Sequence, residues 1–569
     1  AYSLTIAYDP KLDEQVEAMI DLVAAAQQPD GYFNTYFTVK EPDKRWTNLT
    51  DCHELYCAGH MIEAAVAHFR ATGKRKLLEV ACRFADYIDT VFGPEDGQIH
   101  GYDGHQEIEL ALIKLYEVTK EQRYLRLSQY FLDERGREPS FFVMEWERRG
   151  KSSFYASPSR RPDIAYHQSH LPVREQRVAV GHSVRAVYMY TAMADMAART
   201  QDEALLEACR HLWNNTVHKQ MYITGGIGST HHGEAFTTDY DLPNDTVYAE
   251  TCASIGLIFF AQRMLQLSPR SEYADVMERA LYNNVLGSMA QDGQHFFYVN
   301  PLEVWPTACH HNPGKHHVKP VRQGWFACAC CPPNVARLLT SLGEYVYTMS
   351  HDTLYTHLYI GGEAEVTLDG IPVKLVQSSA MPWHGRVSLT LQPEQAVKWT
   401  VAVRIPGWAQ GQAAVQVNGQ SCYIEDSIKD GYAYITRTWA AGDTLELEFP
   451  MEIQQVRANP RIHANAGKSA IQRGPLVYCL EGVDHDALLS SISLATDPIL
   501  QARFDPELVS GAVVIEGQGF REKLEDWDDD ALYRATTNEY APVSIKAIPY
   551  YLWGNRGENE MSVWIRAKY

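Results

Sequence analysis

A chain of 569 residues is too long for one hydrophobic core and predicts two to four domains. Its 45% hydrophobic and 21% charged residues are ordinary for a globular protein. A formal charge of −20, from 71 acidic against 51 basic residues, argues against nucleic acid and anionic membrane surfaces as partners.

From Lys11 to about Met349 apolar residues recur three and four apart, the period of helices packed on one face. The pattern predicts helices over Leu12–Gln27, His53–Ala71, Arg75–Val91, His105–Val118, Glu121–Asp133, His182–Ala198, Glu203–His218, Thr251–Leu267, Ala274–Ser288 and Pro333–Met349. Many come as pairs joined by a short turn such as Thr72-Gly-Lys74. Gly59-His60, Gly104-His105 and Gly181-His182 read as similar helix starts, and a closed ring of hairpins, an α/α toroid, would gather such starts at one mouth. A lone histidine of this kind is more often a cap or a packing residue than a ligand; three of them point to a pocket. After about His351 the texture becomes alternating and β-branched, as in Thr353–Ile360, Trp399–Ile405 and Tyr432–Thr438, which predicts an antiparallel sandwich. A second β-rich segment is expected from about Glu452 to Tyr569, with an acidic loop over Leu524 to Asn538.

Two stretches carry most of the chemistry. Phe326-Ala-Cys-Ala-Cys-Cys-Pro-Pro-Asn334 places Cys328, Cys330 and Cys331 just before two prolines that suit the first turn of a helix. The field of a helix N-terminus favours thiolate over thiol there. Glu250-Thr-Cys252 opens a second apolar helix, and one carboxylate with two or three thiolates is a plausible zinc shell. Buried cysteines are commonly inert, which is the expected fate of Cys82, Cys209, Cys422 and Cys479. The loop Tyr222–Phe236 is rich in glycine, which would let the backbone approach a ligand, and ends in Glu234, a candidate for proton transfer. Eleven cysteines, clustered and odd in number, do not form a secretory disulfide pattern and point to the cytoplasm. No apolar run reaches membrane-spanning length and no signal pattern opens the chain. Ala1-Tyr-Ser-Leu4 is not a native start, so upstream sequence is expected to be missing.

Gly225-Gly-Ile-Gly-Ser229, Glu234, Glu250-Thr-Cys252 and Ala327-Cys-Ala-Cys-Cys-Pro-Pro-Asn334 together resemble glycoside hydrolase family 127. Asp30-Gly-Tyr-Phe-Asn-Thr-Tyr36, His53-Glu-Leu-Tyr-Cys-Ala-Gly-His60, Gly104-His-Gln-Glu107, Arg404-Ile-Pro-Gly-Trp408 and Gln472-Arg-Gly-Pro-Leu476 extend the likeness over nearly the whole chain. The resemblance implies a multidomain α and β protein: an (α/α)6 barrel over residues 1–349, then β-sandwich domains over 350–451 and 452–569; the pattern shows about ten helices where such a barrel has twelve, so its first hairpin is expected to be missing. It implies a retaining exo-glycosidase that releases β-L-arabinofuranose from an oligosaccharide or glycoconjugate. By matching motifs, Glu250, Cys252, Cys330 and Cys331 would bind Zn2+, Cys330 would also be the nucleophile, and Glu234 the acid/base. His105, His182, Tyr298 and Cys328 would contact the sugar, with His53 or His60 as the remaining histidine and spacing in favour of His53. A homodimer is a further expectation. Competing readings are a glycosidase for another furanoside or modified pentose, a carbohydrate-binding protein with a structural zinc site, and a sugar epimerase using a histidine pair.

Overall fold

The computed structural model describes residues 1–154, 160–409, 411–523, 527, 530–533, 535 and 539–568, so most of the predicted acidic loop lies outside the described residues. The chain forms two compact units. One comprises residues 1–219, 232–237 and 336–341, and the other residues 220–231, 238–335 and 342–569.

The first unit is helical: α1 (Pro10–Ala26), α2 (Glu54–Thr72), α3 (Lys76–Val91), α4 (Ile108–Thr119), α5 (Gln122–Glu134), α6 (Phe141–Arg148), α7 (Ser183–Thr200) and α8 (Glu203–Lys219). Local chemistry sets the ends. Asp9 caps α1 by accepting from the amides of Lys11 and Leu12, and Gly73 ends α2 in the left-handed region at φ 72°. Helices α2, α4 and α7 pack side by side as an inner row, and each also packs on its successor, α3, α5 or α8. The difference in burial follows. Helix α7 is buried on every face from Ser183 to Ala197, whereas α3 buries one stripe through Leu77, Ala81, Phe84 and Ile88. The core shared by α2, α3, α4 and α5 includes Leu55, Ile62, Phe84, Leu112 and Phe131, and each such side chain contributes about 1.5–3 kcal/mol by leaving water.

Most predicted helices appear within a few residues of their expected ends, and the departures have local causes. The run expected over Pro333–Met349 is helix only as α11 (Cys331–Thr340). Ser341 turns its hydroxyl back onto the Arg337 carbonyl, a 3-10 turn follows over Leu342–Tyr345, and Tyr347–Met349 is already a strand. The run over Ala274–Ser288 divides into the end of Ser271–Arg279, a π-helical turn Ala280–Val285 and a short helix Leu286–Ser288. Of the three Gly-His pairs only Gly181-His182 is a helix start. His105 precedes α4 by three residues, and His60 lies inside α2, where His53 holds the N-cap position.

The second unit holds α9 (Thr251–Leu267), α10 (Ser271–Arg279) and the β regions. Residues 353–449 form a sandwich. A five-stranded sheet contains Thr353–Thr356, Val397–Arg404 and Tyr432–Trp439, and a six-stranded sheet contains Ile371–Ser379, Arg386–Pro393 and Asp443–Glu448. Leu354, Val401 and Ile435 of one sheet meet Leu375, Leu389 and Leu445 of the other in a single core. The last region is not two facing sheets. Its ladders close on themselves in the order Lys468–Arg473, Ile565–Lys568, Ile492–Ala495, Ala512–Glu522, Tyr540–Pro549 and Leu476–Glu481, and the last strand pairs back with the first. Closure hides the strand edges around Ile471, Leu480, Leu494, Ile515 and Ile565.

Residues 220–231 and 238–335 group with these β regions, because Tyr222, Val247, Phe297 and Leu302 share a core with Val477, Val514, Ile548 and Trp553. Strand Glu303–Val304 also pairs with Met561–Ser562. Two of the motifs noted in the sequence are clasps within this unit. Arg404, fully buried, pairs with Asp275 and Glu278 of α10, and Trp408 Nε1 donates to Glu278 at 2.8 Å. The Asn283 amide donates to the Pro475 carbonyl at 3.0 Å and accepts from the Val477 amide at 2.8 Å.

Candidate active site and metal centre

In the second unit, residues 249–251 run beside residues 297–300. The Thr251 amide donates to the Tyr298 carbonyl, Thr251 Oγ1 to the Phe297 carbonyl, and the Asn300 amide to the Ala249 carbonyl. This ties Glu250, at the N-cap position of α9, and Cys252, in its first turn, to the segment bearing Tyr298. Cys331 is the first residue of α11, with Cys330 directly before it. The four expected ligands come together: Cys252 Sγ lies 3.6 Å from Cys331 Sγ, Cys330 Sγ 3.8 Å from Cys331 Sγ, and Cys330 Sγ 3.5 Å from Glu250 Oε1. One donor atom from each residue falls within 4.8 Å of the others, a spacing that can hold a metal ion. Tyr298 OH stands 3.2 Å from Cys330 Sγ. Cys328, two residues earlier, is exposed.

The thiols feel opposing forces. Burial opposes the Cys252 thiolate, but hydrogen bonds from Cys330 and Cys331 outweigh it and bring the thiol down to about 7. Burial and the Cys252 thiolate push Cys331 well above the ordinary thiol range. The pocket therefore stabilises one thiolate at the expense of its neighbour, and a cation would relieve that competition.

The glycine-rich loop has a different role from the one its composition suggested. A Cβ on Gly225 would meet Ala280 Cα at 2.5 Å, and one on Gly226 would meet Ala249 Cβ at 2.8 Å. The close approach is to the π-helical turn and to the residue before Glu250. The Ala249 amide also donates to the Gly228 carbonyl, so the loop acts as a bed for the segment that carries Glu250 and Cys252.

In the first unit, rings gather around His105. Its centroid lies 5.7 Å from His53, 4.4 Å from Tyr56 and 5.5 Å from His182, and Tyr56 stands 4.4 Å from His60. His53, Tyr56 and His60 are three and four residues apart, which puts them on one face at the start of α2. Glu234 is brought to this cluster by short pairings: the Ser183 amide donates to the Glu234 carbonyl and the Phe236 amide to the Gly181 carbonyl. Glu234 has φ 55°, in the left-handed region, and its carboxylate Oε2 is 2.9 Å from His182 Nε2. Because the Arg185 amide donates to His182 Nδ1, the proton of the ring sits on Nε2 and is donated to Glu234.

Burial keeps these histidines neutral. It lowers His53 to about 4, aided by the Arg185 guanidinium, and His60 to about 4, aided by Arg337. His105 is held well below its ordinary value by burial and Arg185, and His182 is also lowered by burial. His53 Nδ1 faces the Asp51 carbonyl at 3.0 Å and His105 Nδ1 the Gln106 carbonyl at 2.9 Å. Each Nδ1 therefore carries its proton, and each Nε2 is left as an acceptor suited to a sugar hydroxyl.

The structure thus collects Glu250, Cys252, Cys330, Cys331 and Tyr298 in one unit, and His53, His60, His105, His182 and Glu234 in the other. Sequence reasoning missed Tyr56 and Arg185. The first was signalled by its helical spacing between His53 and His60. The second, buried with its guanidinium on the Gly104 carbonyl and His167, had no local signal.

The comparisons with known proteins cover the whole chain. Residues 1–344 match the GH127 catalytic domain of β-L-arabinofuranosidases, 353–451 the GH127 middle domain and 453–566 the glycoside hydrolase family 127 C-terminal domain. A non-reducing end β-L-arabinofuranosidase from Bifidobacterium longum subsp. longum is 43% identical, over 100% of this chain and 87% of its own length. A solved GH127 β-L-arabinofuranosidase from Geobacillus stearothermophilus T6 is 55% identical with a TM-score of 0.96, covering 100% of this chain and 88% of that one. A second solved GH127 β-arabinofuranosidase is 38% identical with a TM-score of 0.88, covering 100% of this chain and 86% of its own. With matches to three domains of the family and a close relative along its full length, this chain belongs to glycoside hydrolase family 127.

Proposed function

We propose that the protein is a retaining, exo-acting β-L-arabinofuranosidase that removes a terminal β-L-arabinofuranose from an oligosaccharide or glycoconjugate, with Cys330 as nucleophile and Glu234 as acid/base. The observation that carries the reading is the spacing of the thiols. Tetrahedral zinc, at about 2.3 Å from sulfur and about 2.1 Å from oxygen, would need S···S edges of about 3.8 Å and S···O edges of about 3.6 Å. The cysteine pairs here stand at 3.6 and 3.8 Å and Cys330 Sγ to Glu250 Oε1 at 3.5 Å. Three of the six edges of the set Glu250, Cys252, Cys330 and Cys331 thus have the length such an ion would need, which supports the reading.

Glu250, Cys252, Cys330 and Cys331 would hold the zinc ion, whose positive charge would keep the thiols ionised at neutral pH. Cys330 Sγ then attacks the anomeric carbon, forming a C–S bond as the bond to the leaving oxygen breaks, and the protonated Glu234 carboxyl gives its proton to that oxygen. In the second half Glu234, now a carboxylate, takes a proton from water, and the water oxygen displaces Cys330 Sγ with a second inversion. His182 Nε2–H holds the Glu234 carboxylate in place between the two halves. His53, His60, His105, His182, Tyr298 and Cys328 are assigned to the sugar, the Nε2 acceptors of His53 and His105 taking hydroxyl protons.

The same reading includes an (α/α)6 barrel over residues 1–349, β domains over 350–451 and 452–569, a homodimer, and a cytoplasmic setting in which the clustered thiols stay reduced. The test is covalent trapping. An epoxide or haloacetamide analogue of β-L-arabinofuranose should label the chain once, on Cys330 by peptide mapping. Labelling on Glu234 or Glu250 with none on cysteine would overturn the thiolate mechanism.

A further inference from the structure

His60 lies against a set of buried charges that the proposed reaction does not use. Its Nδ1 is 3.3 Å from Glu107 Oε1, and Glu107 is completely buried. Gly59, beside His60, permits this: a Cβ there would sit 2.6 Å from Glu107 Cγ. The second buried carboxylate, Glu63, lies one helical turn after His60, and one atom from each of His60, Glu63 and Glu107 falls within 4.8 Å of the others. Both Glu63 oxygens are taken, one by Lys114 Nζ and the other by Arg337 Nη1. The remaining Arg337 nitrogen Nη2 donates to Tyr188 OH at 2.8 Å, and Glu107 is left at 3.9 Å from the guanidinium.

The two carboxyl groups are therefore unequal. Glu63 has two cations in direct contact, whereas the donor closest to Glu107 is the neutral His60 ring, with Nδ1 3.3 Å from Oε1 and not aligned as a full hydrogen bond. A buried carboxylate needs well-aligned donors to stay ionised, and a second negative charge this close to Glu63 is disfavoured. Burial and the Glu63 charge push Glu107 well above the ordinary carboxylate range. A metal ion is a poor fit, because Lys114 and Arg337 already supply the positive charge.

We propose that Glu107 is a positioning residue for His60 and works as an un-ionised carboxylic acid. Its hydroxyl is directed to the Glu63 carboxylate, its carbonyl oxygen faces His60 Nδ1 at 3.3 Å and keeps the ring proton on that nitrogen, and the ring is left with Nε2 as an acceptor. His60 then presents the same kind of group as His53 and His105, which reach that state through backbone carbonyls. The proposal rests on the arabinofuranosidase reading only for what His60 binds.

Glu107→Gln is the decisive variant, since the amide reproduces both hydrogen bonds of the neutral acid and neither role of a carboxylate. The infrared difference between wild type and Glu107→Gln at pH 7 should contain the carbonyl band of one protonated carboxylic acid. Its absence would overturn the proposal whatever the enzyme hydrolyses. In kinetics, Glu107→Gln should keep KM within about threefold of wild type, while Glu107→Leu should raise KM by about tenfold or more with kcat changed less than about threefold. In a His60→Gln background Glu107→Leu should add less than about twofold. Equal damage from Gln and Leu, or a Leu effect that persists without His60, would also overturn it. Should the Leu variant not fold, the Gln variant and the infrared band decide. A wild-type protein inactive on β-L-arabinofuranosides that still shows the band would sink the functional reading and leave the hydrogen bonds standing.

Discussion

Desolvation acts on both clusters of functional side chains, with opposite results. Among the rings around His105 it removes charge, leaving histidines that are neutral and already oriented by backbone partners. Around Cys330 it sets thiols against one another, so that Cys252 ionises at the expense of Cys331. A site built from bases that are neutral when buried is complete as folded. One built from groups that must be anionic is not, and needs a cation to become so.

The contrast breaks most sharply at Cys330. Cys330→Ser, fully loaded with zinc, should lose on the order of 10⁴-fold or more in kcat, as expected for a nucleophile, and excess metal should not restore it. Recovery with added zinc would make Cys330 a ligand only. Removing the metal tests the same side without touching the chain. Dialysis against a strong chelator should abolish activity and lower the melting temperature, both returning with zinc, since a ligand present at about 1,000 times its Kd contributes about 4 kcal/mol. An unchanged melting temperature in protein shown by elemental analysis to have lost its metal would mean the centre is stable without it. Glu234→Gln should cost about 10²–10⁴-fold on poor leaving groups and much less in the first step with activated aryl glycosides. Equal losses on both would restrict Glu234 to positioning.

The smallest expected effect lies on the histidine side. His53 is lowered from an ordinary 6.5 to about 4 in the folded protein, so the unfolded chain binds the proton first as pH falls. The stabilisation from keeping it neutral is fully present above pH 6.5 and disappears between 6.5 and about 4. His53→Asn should therefore flatten the decline of the melting temperature across that window, relative to wild type. An unchanged slope would show that His53 titrates normally.

Much of this was legible before any coordinates, for reasons of range. Helix periodicity, the two prolines after Cys331 and the Glu250-Thr-Cys252 helix start are local signals, and they located both the metal-ligand candidates and most helices. The resemblance to family 127, carried by those same stretches, then supplied the roles. Facts that depend on distant partners were not legible. The glycines of the Tyr222–Phe236 loop predict a close approach of its backbone, but not that Gly225 and Gly226 make theirs to Ala280 and Ala249. The closure of the last β region depends on Lys468–Arg473 pairing with both Ile565–Lys568 and Leu476–Glu481. Glu107 looked like part of a Gly-His motif, and only the packing of Gly59 against it shows which histidine it serves.

The Arg404 clasp bears on whether the cysteine centre can stand alone. Asp275 and Glu278 of α10 face a guanidinium that belongs to the sandwich, and Asn283 satisfies the backbone of the next β region. A chain fragment ending near residue 350 would contain the whole cysteine centre, yet it would leave Asp275 and the buried Glu278 without Arg404 and would expose half of a shared core. The centre is therefore not a self-contained cassette. Its stability draws on β strands that hold none of the four cysteine-centre residues.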